Sequence, residues 1–285
     1  MRFKWITTGK CCGLREELVI LVLKPLTKDK LEKIFDDTSL QVIKYYIQKA
    51  LFAQPEILSG QKEPSIQIPK EHIEQWVVQA IGGIPVGAGN YPIDVMKANQ
   101  FGADIKMLNC KVDGTGSLCS SCSNESSLLQ NFKDTGSELD MLFDQKKYVE
   151  IAEGWKGMLF HKLSKAMEDN NLPQLYYIFI LKGNTTFHIC GFSIDVGAIK
   201  DVGCGKTGDT NVFLSNFIDN KHGNVKIYKA KKRLELRLYP KYLVDNDYTM
   251  PINIEYKPRV VNMRDVLLNN LMIDYKNQVI GDIFS

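Results

Sequence analysis

Apolar positions recur along this chain with two different periods. In "TKDKLEKIFDD", residues 27–37, Leu31, Ile34 and Phe35 share one helical face behind Thr27, a suitable N-cap. "TSLQVIKYYIQKALFAQ" opens at Thr38 or Ser39, and Leu40, Ile43, Tyr46, Ile47, Ala50 and Leu51 continue a helical stripe. Upstream, "REELVILVLKPL" reads as a helix ending near Pro25 or as a short buried strand. Gly60, Pro64 and Pro69 then interrupt the pattern over residues 59–69 and predict a boundary there. "KEHIEQWVVQAIGG", 70–83, is helical again. Ile73, Trp76, Val77 and Ala80 face inward, and Gly82-Gly83 stop it.

A period of two follows, in short strands at 84–86, 91–96 and 102–108. Residues 113–127, "DGTGSLCSSCSNESS", form a polar loop. Residues 137–170 are largely helical, with Gly154 and Gly157 marking places for a break. "LYYIFILKG" and "TFHICGFSIDV" are buried strands by their β-branched and aromatic content, and Gly183-Asn184 predicts a hairpin between them. This order suits an α/β fold with a central mixed β-sheet flanked by α-helices. Residues 1–65 form a helical N-terminal segment and 66–285 the main domain.

Composition adds a few bounds. A chain of 285 residues with 44% apolar content can bury a sizeable core. No apolar run is long enough for a transmembrane helix, and the first residues lack the apolar stretch of a secretory signal, so a cytoplasmic location is expected. Seven cysteines, an odd count, argue against a disulfide framework. Cys119 and Cys122 form a single CxxC without a second spaced pair, and read as free thiols rather than a zinc site. The net charge of +3 permits a nucleic-acid partner without demanding one.

The chemistry concentrates in "YPIDVMKANQFGADIK", 91–106. A symmetric loop centred on Asn99 puts Asp94 opposite Asp104, with Cβ atoms roughly 4.5–5.5 Å apart. Asp104 and Lys106 share one strand face, while Ala103, Ile105 and Met107 share the other. Two carboxylates at that spacing repel unless a cation lies between them. Hard oxygen ligands suit Mg²⁺, which keeps several waters and accepts phosphate oxygens. The competing reading is a solvated hairpin with ordinary polar decoration.

An acid, then D-x-K about ten residues later on a neighbouring strand, with a glutamate on the helix upstream, resembles the PD-(D/E)xK nuclease superfamily. Here it reads Glu74, Pro92-Ile93-Asp94 and Asp104-Ile105-Lys106, with the proline two residues before the acid instead of adjacent to it. The resemblance implies a restriction-endonuclease-like core and a Mg²⁺-dependent type II restriction endonuclease. Such an enzyme cleaves double-stranded DNA at a specific sequence, leaves 5′-phosphates and acts as a homodimer. It implies that Asp94 and Asp104 hold the metal with the Ile105 carbonyl, that Lys106 stands by the attacking water, and that Glu74 binds metal or water. Glu71 is the alternative helix acid. Other readings are a structure-specific repair or recombination nuclease of the same fold, and a DNA-binding module without chemistry.

"KIYKAKKRLELRLYPK", 226–241, places Lys226, Lys229, Lys231, Lys232, Arg233 and Arg237 around alternating leucines. These side chains are candidates for DNA contact through phosphate neutralisation. The alternative is an edge strand guarded by lysines. "GCGKTGD", 203–209, lacks the first glycine of a phosphate-binding P-loop because Lys200 holds that position, so no nucleotide cofactor is expected.

Overall fold

The structure is a computed structural model that describes residues 20–63, 66–69, 72–86, 91–123, 125–130 and 136–284. Of the two readings before Pro25, the strand is realised in the part described: β1 spans Leu23–Pro25. Helix α1 (Lys28–Ile34) follows Thr27, which sits at the cap position without a side-chain cap bond. Helix α2 (Asp37–Phe52) begins earlier than Thr38, because Asp36 supplies the cap and its carboxylate accepts from the Ser39 N–H at 2.8 Å. Helix α3 (Ile73–Ile81) ends at Gly82, whose φ of 57° is a conformation open to glycine at no steric cost. Lys97 secures that end by donating from Nζ to the Ile81 carbonyl at 2.6 Å.

Strands β2 (Ile84–Pro85), β3 (Val95–Lys97) and β4 (Phe101–Val112) make an antiparallel meander. Strand β5 (Leu118–Ser123) pairs back on β4, and β6 (Ser126–Gln130) departs to a second sheet. Helices α4 (Gly136–Asp144) and α5 (Tyr148–Asn170) cross over to β7 (Leu175–Lys182), which lies parallel to β4. Strand β8 (Phe187–Ile194) returns antiparallel through the hairpin expected at Gly183, whose N–H donates to the Thr186 carbonyl at 2.8 Å.

The helical stretch 137–170 breaks at neither glycine. It breaks at 145–147, where Lys146 takes a φ of 56°. A Cβ on Gly157 would meet nothing within 4 Å. That glycine costs helix propensity of about 1 kcal/mol and no packing. The buried stripe of Ile151, Trp155, Leu159 and Leu163 carries the helix past it.

Strands β9 (Gly203–Gly208), β10 (Asn211–Ser215), β11 (Gly223–Tyr228) and β12 (Arg233–Leu238) form an antiparallel sheet that β6 completes, in the order β6-β12-β11-β10-β9. The Gly-rich stretch 203–209 is thus mostly strand, not the loop-to-helix turn of a nucleotide site. Helix α6 (Pro240–Asp245) leads to β13 (Thr249–Ile252), which pairs with β8, and α7 (Met263–Leu268) and α8 (Met272–Phe284) follow. The central sheet runs β1-β8-β7-β4-β3-β2, with β13 also on β8 and β5 also on β4. It is mixed, and helices flank it.

Both faces of this sheet are covered, and β7 shows how. Ile178 and Ile180 join Val95, Ala103, Ile105 and Met107 beneath α1, α2 and α3. Tyr177, Phe179 and Leu181 turn to the other side, where α5 and the inner face of the second sheet meet them. Leu31, Ile43 and Ile47 share the first cluster with Trp76 and Val77, so residues on both sides of 59–69 meet in one core. The fully buried Val, Leu, Ile and Phe side chains among these each contribute about 1.5–3 kcal/mol. Among the described residues no helix is long and apolar enough to cross a membrane.

Candidate active site

The β3–β4 register pairs Val95 with Ala103, Met96 with Gly102 and Lys97 with Phe101. Residues 98–100 form the turn, with Asn99 at its centre and at a φ of 59°. This symmetry carries Asp94 level with Asp104, as the alternation implied. The strand itself is shorter than expected, and Asp94 lies just outside the ladder. Its N–H donates to the Ala103 carbonyl at 2.8 Å, and its carbonyl accepts from the Val86 N–H at 2.9 Å. Its Oδ2 accepts from the Ile105 N–H at 2.6 Å. Gly102 permits the close approach: a Cβ there would stand 2.7 Å from Leu172 Cδ1 and 2.9 Å from Ile93 Cδ1.

Asp104 and Lys106 do face one side, but that side is only partly open to water, with the Lys106 side chain 31% exposed. Asp104 is 7% exposed, next to Tyr177 in the parallel β4–β7 register. Lys106 Nζ hydrogen-bonds to Asp104 Oδ1 and lies 3.5 Å from Asp94 Oδ2. Burial drives the Asp104 carboxyl well above the usual carboxylate range, Lys106 opposes this, and Asp94 adds to it. Burial acts to lower the Lys106 ammonium, yet the charges of Asp104, Asp94 and Glu74 carry it above its ordinary value. Burial and the Asp104 charge together push the Tyr177 hydroxyl upward. A solvated hairpin would give none of this coupling.

Helix α3 places Glu74 in its first turn. Burial raises its carboxyl, Asp94 raises it further and Lys106 opposes both, so Glu74 lies in the field of the two strand residues. Glu71 falls outside the described residues. Ile105 brings only its backbone to the site, since its side chain is buried in the core under α3. Among the described residues no three Asp, Glu, His or Cys side chains gather closely enough to hold a metal ion alone. Two adjacent carboxyls fit Mg²⁺, which commonly takes one or two protein carboxylates and fills the rest of its shell with water and phosphate. They do not suit a zinc site closed by four protein ligands.

A further contact fixes the approach to Asp94. Asn170, at the end of α5, donates from Nδ2 to the Tyr91 hydroxyl at 2.7 Å. Nothing in the local sequence marks this pairing, whose partners are 79 residues apart.

The basic stretch lies on β11, β12 and the turn between them. The sequence reads it as an open cationic front, but the fold supplies it with acids. Lys226 pairs with Glu125 at 2.9 Å, Arg237 Nη2 with Glu125 at 2.8 Å, and Lys231 with Glu235 at 3.0 Å. Lys232 pairs with Asp140 at 2.9 Å, and Lys229 with Asp144. Arg233 is exposed at the start of β12. Leu234, Leu236 and Leu238 are fully buried. Glu235 alternates with them but is only 3% exposed, and its carboxyl is hydrogen-bonded with Glu125. Glu125 was not legible as a functional position: it is a lone acid in a serine-rich stretch that reads as a polar loop but holds β5 and the start of β6, more than 100 residues from its partners.

The remaining candidates are separate from both clusters. Cys119 is a free thiol, and the Cys122 side chain lies outside the described residues. His188 meets the Thr249 hydroxyl at 3.2 Å, and His222 is buried between the ring edges of Tyr242 and Tyr248. Trp76 stacks on Tyr46, and Trp155 is fully buried, both as packing residues.

Comparison with protein-family models, with curated proteins and with solved structures finds no match for this chain.

Proposed function

We propose that this protein is a Mg²⁺-dependent endonuclease that hydrolyses phosphodiester bonds of double-stranded DNA at a specific sequence, in the manner of the PD-(D/E)xK type II restriction enzymes. One observation carries the reading: Asp94 and Asp104 stand level across the hairpin, and Lys106 Nζ hydrogen-bonds to Asp104 and lies 3.5 Å from Asp94 Oδ2. Asp94 and Asp104 would hold the ion with the Ile105 carbonyl. Bound there, Mg²⁺ lowers the pKa of a coordinated water and offsets charge on the phosphate.

The chain's own groups do the rest. The Ile105 N–H fixes Asp94 Oδ2. The raised Lys106 ammonium is a donor and a charge, so its role is to orient the attacking water and neutralise the growing negative charge, not to accept a proton. Glu74, in the field of Lys106, steadies that ammonium. Water attacks in line and the products carry 5′-phosphates. Lys226, Lys229, Lys231, Lys232, Arg233 and Arg237 supply contacts to the DNA backbone. Two copies related by a twofold axis would cut the two strands.

The test is digestion of a defined plasmid with and without Mg²⁺, followed by sequencing of the ends. Fixed cut sites with 5′-phosphates support the reading. Cuts at junctions or flaps only would favour a structure-specific nuclease, and binding without cutting a DNA-binding module.

A further inference from the structure

Glu125 is one carboxylate with an excess of donors. Its Oε1 accepts from the Tyr228 hydroxyl at 2.5 Å, from Lys226 Nζ at 2.9 Å and from Arg237 Nη2 at 2.8 Å. Its Oε2 stands 3.4 Å from Lys231 Nζ. Three cations and a phenol converge on a side chain that is 8% exposed, beside the buried Glu235 carboxyl, which takes Lys231 at 3.0 Å, while Lys231 and Arg237 remain 52% and 38% exposed on the outer side. Burial would raise the Glu125 carboxyl, but hydrogen bonds from Glu235, Tyr228 and Lys226 overcome it and hold it at about 2.

The cradle has a definite architecture. Register sets Lys226 against Glu235, Asn224 against Arg237 and Phe213 against Lys226 across β10, β11 and β12. The opposite sides of these strands, with Val225, Ile227, Leu234 and Leu236, are fully buried, so the cradle side is fixed outward by the core. Lys226 lies 4.6 Å from the Tyr228 ring centroid and 5.5 Å from that of Phe213, and Lys231 lies 4.9 Å from the Tyr228 ring. The rings hold the two ammonium groups in place. Fixed guanidinium, ammonium and hydroxyl donors around one anionic oxygen pair form a set that also matches a phosphodiester.

We propose that Lys226, Lys231, Arg237 and Tyr228 form a phosphate site for the DNA backbone, and that Glu125 fills it in the free protein as an internal stand-in. The inference rests on the nuclease reading above. It accounts for a basic stretch that is rich in charge yet paired. DNA displaces the Glu125 carboxylate, so binding is weaker than the charges alone would give, and loosely matched sequences fail to displace it.

The test is duplex binding by the full chain without Mg²⁺, so that no cutting occurs, across a salt series. Glu125→Gln should bind about tenfold tighter, with the slope of log K against log salt steeper by about one. Glu153→Gln, which removes one charge from an exposed pair on α5, should leave affinity unchanged. Arg237→Gln should weaken binding, and adding it to Glu125→Gln should cancel the gain. Equal gains from Glu125→Gln and Glu153→Gln would reduce the effect to bulk charge and overturn the proposal. So would Glu125→Gln binding no tighter than the parent. Should Glu125→Gln fail to fold, the carbon-13 carboxyl resonance of Glu125 in the parent protein decides: it shifts on duplex addition if displaced, and an unmoved resonance in the bound state overturns the proposal. A parent that cuts DNA but shows no Glu125 effect refutes only the stand-in. A parent that never cuts refutes the nuclease reading.

Discussion

The backbone N–H of Ile105 donates to Asp94 Oδ2 at 2.6 Å, so the middle residue of Asp104-Ile105-Lys106 holds the acid of the neighbouring strand. The two acids are thereby kept together although burial and their mutual charge oppose it. Such an arrangement sets function against stability. Asp104→Asn should therefore lose cleavage by roughly 10²–10³-fold while gaining stability on the order of 1 kcal/mol. Plasmid digestion and thermal unfolding, run on one preparation, check both. A variant that still cuts would sink the metal-site reading.

Lys106 contacts the same two carboxyls that the proposed Mg²⁺ would take. Lys106→Ala should keep DNA affinity within a few-fold and lose turnover by about 10²–10³-fold. It should also gain more thermal stability from added Mg²⁺ than the parent does, because the carboxyls lose their internal cation. A Mg²⁺ titration followed by Tm measures this. Equal shifts in both proteins would count against a shared site.

His222 gives a pH dependence of known sign. Burial pushes its imidazole below 6.5, against Asp219 and aided by Lys221. The folded state then binds the proton less well than the unfolded chain, so stability is full above about pH 6.5 and falls as pH drops below it. His188, also lowered by burial, acts in the same direction. His222→Phe, whose ring can keep the edge contacts with Tyr242 and Tyr248, should flatten the loss measured by denaturant unfolding between about pH 7 and 5. An unchanged profile would remove His222 as a source.

Gly223, opposite Leu238 in the β11–β12 register, has no room for a side chain. A Cβ there would stand 2.3 Å from the Arg237 carbonyl oxygen. Because that atom is backbone, the strands must move apart. Gly223→Ala should cost about 2–3 kcal/mol, read from the urea midpoint, and should weaken DNA binding by loosening the Arg237 cradle. Gly157→Ala on α5, with open space around it, should be neutral or mildly stabilising.

What the sequence disclosed follows from range. The hairpin register was legible because a turn centred on Asn99 and a period of two are local facts, and they placed Asp94, Asp104 and Lys106 together. β7 and β8 were legible because continuous apolar runs leave few other choices. The break between α4 and α5 was misplaced. Gly154 and Gly157 look like breakers, yet a helix tolerates glycine where its buried stripe is strong, and the turn came at Lys146. The second sheet was hidden, since β6 joins β12 across more than 100 residues and no periodicity reports such a pairing. The same distance concealed Glu125 and left the basic stretch to look unopposed.

The outer edge of β8 is shared end to end. β1 pairs with residues 192–194 and β13 with residues 187–190. During synthesis β8 is complete at Ile194, while the strand that covers its far half begins only at Thr249. For that interval the nascent chain carries a half-open, strongly apolar strand beside the newly formed β7, a template for unwanted pairing. A stalled or truncated product ending within the second sheet would keep that edge exposed, so loss of β13 should appear first as aggregation.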